Sequence, residues 1–172
     1  MAKIINVTAV TGNYPNGQRI DRARVTYDCR LSADVSATAF AVADRTITGV
    51  QTQGDTVTLF LDIRDEKAKL IPPDPPRKHK PGEKPPSGPP RDLPPVVLRP
   101  VQVSVTQVAA ILAEDGTEIA ADGICHVSDR AEQPIVDEFV QGEYAGLPYN
   151  LYIPKCMEPG KEYPLVDRKS VV

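Results

Sequence analysis

Ile4-Ile5-Asn6-Val7-Thr8-Ala9-Val10-Thr11, then Asn13-Tyr14-Pro15-Asn16-Gly17, then Ala23, Val25, Tyr27 and Cys29 at every second position, is the passage that decides the fold. The first run is apolar and β-branched, which suits a pleated, half-buried strand. The middle segment supplies turn residues, and the last run alternates with period two, so that one face meets a core. Two antiparallel strands joined by a tight turn are the expectation.

The same pattern continues along the chain. Thr46 to Val50 and Thr56 to Ile63 read as strands separated by Gln53-Gly54-Asp55, and Val101 to Val108 alternates Val101, Val103 and Val105 with polar partners. Asp115-Gly116 sits between Ala110-Ile111-Leu112 and Glu118-Ile119-Ala120 as a hairpin signal, and Ile135 to Val140 adds another extended segment. Helical periodicity is weak, with a single turn around Ser36 to Phe40 as its best candidate. Roughly seven short strands with regular turn spacing predict an all-β, immunoglobulin-like sandwich. The likeness is architectural, because tryptophan is absent and with it the Cys…Trp…Cys core of antibody domains.

Residues 71 to 100 interrupt the strands. Twelve of the eighteen prolines lie here, beside Arg77, Lys78, Lys80, Lys84, Arg91 and Arg99. Proline cannot donate to a sheet ladder, so an extended, solvated loop inserted between strands is expected. Pro86-Ser87-Gly88-Pro89-Pro90-Arg91 fits the PxxPxR form of an SH3 ligand, a weak signal in any proline-rich sequence.

Composition narrows the function classes. A chain of 172 residues with 41% hydrophobic content can bury one substantial core. The net charge of −3 gives no footprint for nucleic acid, and no apolar run is long enough to cross a bilayer. Met1-Ala2-Lys3-Ile4 opens without the apolar region of a secretory signal, so a cytoplasmic location is the default expectation and Asn6-Val7-Thr8 is not expected to be glycosylated. Cys29, Cys125 and Cys156 form an odd set without zinc-ligand spacing; free thiols are expected, with no metal or other cofactor.

Residues with catalytic chemistry are few. Cys125-His126-Val127-Ser128-Asp129 places a thiol, an imidazole, a hydroxyl and a carboxylate in one run, but neighbours on a strand point to opposite faces and cannot by themselves form a nucleophile, base and orienter. They read as strand and turn residues. No G-x-S-x-G occurs, so the strained elbow that carries a hydrolase serine is missing. Asp62, Asp65 and Glu66, and also Asp115 and Asp122, which both precede glycine, lack the spacing of a calcium loop and read as solvated loop ends. His79 falls in the proline-rich segment and reads as exposed. No catalytic, cofactor-binding or metal-ligating residue is assigned.

The end of the chain carries the most specific resemblance. Leu147-Pro148-Tyr149-Asn150-Leu151-Tyr152-Ile153-Pro154-Lys155, followed by Tyr163-Pro164-Leu165-Val166, resembles the first two strands of an α/β-hydrolase. With Ile5 to Thr11, Gly17-Gln18-Arg19-Ile20, Val25-Thr26-Tyr27-Asp28, Phe40-Ala41-Val42 and Arg45-Thr46-Ile47-Thr48, the chain from about Lys3 to Val166 resembles bacterial esterases that carry an Ig-like domain ahead of an α/β-hydrolase or prolyl-oligopeptidase-like domain.

In that family a His-Gly segment, a serine elbow, an acid and a histidine follow; here Asp167-Arg168-Lys169-Ser170-Val171-Val172 follows instead, matching the translation of a common sequencing-adapter stem. The resemblance therefore implies an Ig-like sandwich over 1–143 containing the insertion 71–100, the truncated start of a hydrolase domain over 144–166, and a non-native tail over 167–172. It implies an accessory domain that packs against the catalytic domain missing from this chain or assembles a homo-oligomer, with ester hydrolysis by a serine and its His-Asp pair lying beyond the truncation. A free-standing Ig-like adhesion or carbohydrate-binding module, and a proline-rich interaction scaffold, are the other two readings; neither nucleic acid nor membrane is an expected partner.

Overall fold

The computed structural model describes residues 2–72, 97–158 and 160–162. Among these residues the chain is all-β, with twelve strands and two single turns of 3-10 helix. The proline-rich residues 73–96, the segment Tyr163-Pro164-Leu165-Val166 and the six-residue tail lie outside the described residues, as does His79. Two compact units are formed, Met1–Pro134 and Ile135–Val172.

In the first unit, β1 (Ile4–Tyr14) and β2 (Gly17–Tyr27) make the antiparallel pair that the opening residues predict. Pro15-Asn16 turns the chain between the paired Tyr14 and Gly17, and Gly17 takes a φ of 99°, a conformation that a side chain would resist. A 3-10 turn at Ala37–Ala39, capped by the Ser36 hydroxyl accepting from the Thr38 N–H, leads into β3 (Phe40–Val42). Next come β4 (Ile47–Gln53) and β5 (Thr56–Leu61), a hairpin closed by Gly54-Asp55 with Gly54 at φ 62°, the first-position glycine of a type II′ turn.

Beyond the proline-rich segment lie β6 (Ser104–Gln107), the small hairpin of β7 (Ile111–Leu112) and β8 (Glu118–Ile119), then β9 (Cys125–Val127) and β10 (Arg130–Glu132). One sheet runs β10-β1-β2-β5-β4, with β10 parallel to β1; a second runs β3-β6-β9. Taking β1 to β6 and β9 as strands A to G, the sheets are A-B-E-D and C-F-G, the arrangement of a constant-type immunoglobulin sandwich. The strand expected over 101–108 is shorter, because only Ser104 to Gln107 find partners in β3 and β9.

Alternation along the strands builds the core. Val7, Ala9, Ala23, Val25, Val57 and Leu59 of the larger sheet are almost fully buried in one cluster with Phe40, Val42, Val103 and Val105. Tyr27 at the end of β2 reaches the other sheet, its hydroxyl donating to Gln107 Oε1 at 3.0 Å. Gln107, 1% exposed, donates in turn to the carbonyls of Ala109 at 3.0 Å and Ile119 at 3.1 Å. Burial pushes the Tyr27 phenol well above its ordinary pKa, so it remains a donor. On the outer face, Arg24 of β2 and Glu132 of β10 are ion-paired across the intervening β1, which explains why Thr8 and Val10 are buried on that side as well.

The proline-rich segment leaves and rejoins the sandwich at one place. The Arg99 N–H donates to the Leu70 carbonyl at 2.8 Å, and Arg99 Nη1 donates to the Glu66 carbonyl at 2.9 Å.

The second unit is a hairpin, β11 (Phe139–Tyr144) and β12 (Leu147–Tyr152). The extended segment expected over 135–140 is strand only from Phe139, because the Phe139 N–H closes a turn onto the Val136 carbonyl at 3.0 Å. Ala145 and Gly146, at φ 51° and 79°, form the two-residue loop; two left-handed residues in succession define a type I′ turn. The boundary expected at residues 143 and 144 falls within this hairpin.

Candidate functional site

The run from Cys125 to Asp129 is the richest in reactive groups. Asp122 folds back on itself, its Oδ1 accepting from the Ile124 N–H at 2.9 Å, and its Oδ2 lies 2.7 Å from His126 Nε2. Burial works to raise the Asp122 carboxyl, but the His126 ring and the Ile124 N–H outweigh it and hold the group below its ordinary range. This pair could orient an imidazole. The hydroxyl that would complete a triad is engaged elsewhere: Ser128, 8% exposed, accepts from the Val103 N–H at 3.1 Å and returns its own N–H to the Val103 carbonyl at 2.8 Å. Ser128 thus fastens the end of β9 to the segment before β6, and Asp129 adds an N–H to the Val7 carbonyl at 3.2 Å. Cys125 is exposed on the same edge strand. A slot of about 280 Å³ separates Ile4 to Val7 from Cys125, His126 and Asp129.

The acidic cluster after β5 is more than a set of solvated loop ends. Asp62 accepts from the Arg64 guanidinium and from the Arg64 N–H, which together bring its carboxyl down to about 2. Asp65 accepts from the Thr46 N–H at 2.7 Å and lies 3.4 Å from Arg45 Nε. Glu66 pairs with Lys69 at 2.9 Å and Arg99 at 3.4 Å. Asp115 closes its own turn by accepting from the Thr117 N–H at 2.9 Å. These carboxylates are committed to cations and backbone donors, and among the described residues no group of three or more His, Cys, Asp or Glu is placed to hold a metal ion.

Arg45 is the residue to which sequence reasoning gave no role. Its side chain is 2% exposed, and Nη2 donates to the carbonyls of Ile20 at 2.8 Å and Asp62 at 3.2 Å. Burial draws its pKa down, while Asp65 works in the opposite sense. Nη1 is buried without a hydrogen-bond partner. The signal available in the sequence was a lone arginine between the apolar runs Phe40-Ala41-Val42 and Ile47, where a charge is retained only with partners.

In the second unit the register sorts the hairpin into two unlike faces. Val140 opposite Leu151, Gly142 opposite Tyr149 and Tyr144 opposite Leu147 share one face, all of it apolar or aromatic. The Tyr149 ring lies over Gly142 so closely that a Cβ there would stand 2.5 Å from its hydroxyl. The opposite face carries Phe139 against Tyr152, ring centroids 5.5 Å apart, and then Gln141 against Asn150 and Glu143 against Pro148. Every residue of β12 is exposed, and Tyr144 and Leu147 are 80% and 71% exposed.

Comparison with known proteins agrees with this architecture. Residues 6–120 match the family described as the esterase Ig-like N-terminal domain. A crystal structure of a thermostable esterase superposes with a TM-score of 0.72 at 22% identity, covering 93% of this chain and 45% of that chain; at this identity the likeness is one of fold. No curated protein matches. With strands in A-B-E-D and C-F-G order and two thirds of its length inside the family's model, the chain belongs to the esterase Ig-like N-terminal domain family.

Proposed function

We propose that this chain is the front part of a serine ester hydrolase, in which the sandwich is an accessory domain and the β11–β12 hairpin begins the catalytic domain. The accessory domain packs against the catalytic domain or holds subunits together, and the described residues perform no ester hydrolysis themselves. The observation that carries this reading is the apolar face of the hairpin: Val140, Tyr144, Leu147, Tyr149 and Leu151 are all exposed, between 42% and 80%. A two-stranded hairpin is marginal in water, and such a face is shaped to be covered by further strands or helices. The length supports the same view, since the chain spans less than half of the esterase that it superposes on.

The test is the genomic sequence downstream of the codon for Val166, followed by expression of the longer chain. Continuation into an apolar strand, a His-Gly segment and a later G-x-S-x-G is expected. The longer protein should turn over short-chain nitrophenyl esters, whereas residues 1–172 should not exceed the uncatalysed background. Turnover by the 172-residue chain that vanished in Ser128→Ala or His126→Ala would overturn the reading.

A further inference from the structure

The strands that end the two large sheets of the first unit differ in how their edges are guarded. β3, β9 and β10 have three residues each, and β10 carries Arg130 and Glu132. β4 is the long one, seven residues from Ile47 to Gln53 with no charge and no proline. Short length, charge and proline are the usual means by which a sheet edge is kept from pairing further, and β4 has none of them. Its ladder to β5 is irregular between Ile47 and Gly49, so the regular edge is Gly49 to Gln53.

Gln53 and Thr56 flank a two-residue loop and so form a hydrogen-bonded pair, from which bonding alternates along the strand. Gln51 and Gln53 turn their main-chain groups toward β5, and Val50 and Thr52 turn theirs outward. Among the described residues these outward groups have no main-chain partner, and the nearby 3-10 turn Ala37–Ala39 makes no hydrogen bond with them. Exposure agrees. Val50 and Thr52 lie opposite Leu59 and Val57, both 0% exposed, yet are themselves only half-buried because no strand stands beyond them.

We infer that this edge pairs with the same edge of a second copy of the chain, Gly49 to Gln53 running antiparallel to itself about a two-fold axis at Gln51. An uncharged edge gives a charged peptide nothing to pair with, whereas its own copy meets no like charge. The register is self-complementary. Val50 exchanges both main-chain bonds with the second copy's Thr52, and Thr52 does so with the second copy's Val50. Gln51 faces the second copy's Gln51 at the closer, non-hydrogen-bonded position, where each amide can both donate and accept. The two core faces stay on one side, so two five-stranded sheets join into one through an isologous contact. This fills in the subunit-holding role proposed above for the accessory sandwich, and rests on that reading.

Sedimentation equilibrium of the whole chain, run up to about 1 mM, measures the association. An edge contact of this size is a weak interface, so a monomer–dimer equilibrium with a dissociation constant of about 1 mM or tighter is expected. Gln51→Lys, at an exposed position, sets two like charges face to face on the axis and should weaken it about fivefold or more. Gln51→Cys tests the register directly. The two α-carbons stand about 4.5 Å apart in such a pair, within disulfide reach, so mild oxidation should give a dimer linked through position 51, identified by peptide mass. Gln53→Cys, whose copies lie about 13 Å apart in this register, should not link to itself. A chain that stays monomeric, association unchanged in Gln51→Lys, or a link through 53 as abundant as that through 51 would each overturn the proposal. None of these would touch the esterase assignment, which the downstream gene sequence decides separately.

Discussion

At the scale of single residues, the sandwich depends on a polar contact that its composition conceals. Gln107 sits in the core with all three of its hydrogen bonds made inside the protein, one from Tyr27 and two to main-chain carbonyls. Gln107→Leu should therefore lose about 3 kcal/mol, because a phenol and two carbonyls lose their partner at about 1 to 3 kcal/mol each with partial relaxation. Tyr27→Phe should lose less, about 1 to 2 kcal/mol, and the double variant less than the sum, since the two side chains share one interaction. Urea unfolding of the four proteins measures this; strict additivity would show that the two are not coupled. Sequence periodicity placed Tyr27 on the core face but gave no hint of its partner eighty residues on, because hydrogen bonding between sheets leaves no local pattern. Arg45 escaped for the same reason: its acceptors are Ile20 on β2 and, about forty residues on, Asp62 and Asp65 after β5.

At the scale of elements, the legible parts were those whose signal is short-range. The β1–β2 pair follows from a Pro-Asn-Gly turn between β-branched runs, and the Gly54 and Gly116 turns follow from the same logic, both glycines taking positive φ. Ser36 to Phe40 was also readable, a serine cap ahead of a single turn. The short strand β10 was not: it pairs in parallel with β1, and a three-residue strand paired so far away has no periodicity to read. The hairpin of the second unit was half legible. Leu147 to Tyr152 was expected as strand, but its partner among the described residues lies upstream, at Phe139 to Tyr144, where Gln141-Gly142-Glu143 hides the alternation. Its turn offers a direct test. Ala145 holds a left-handed φ of 51° at a cost of about 1 kcal/mol, whereas asparagine tolerates that region and Asn-Gly is the favoured type I′ pair. Ala145→Asn should slow amide exchange at Val140 and Leu151, and unchanged exchange would argue against a type I′ turn.

At the scale of the whole molecule, the clasp between Leu70 and Arg99 decides how the sandwich tolerates its insertion. Because the two ends already meet through a 2.8 Å hydrogen bond, residues 73–96 should be replaceable by a short glycine-containing turn. Closure entropy changes only slowly with loop length, so thermal unfolding should shift little; a loss of more than about 3 kcal/mol would mean that the segment packs on the sandwich. The tie between sheets has a wider consequence. In antibody domains strands B and F are joined by an inter-sheet disulfide; here the strands in those positions, β2 and β6, are joined by a phenol and an amide, while Cys29, Cys125 and Cys156 all remain free thiols. Neither an oxidase nor an oxidising milieu is needed to close this fold. Its stability owes nothing to a disulfide, and should be the same in a reducing buffer as in an oxidising one.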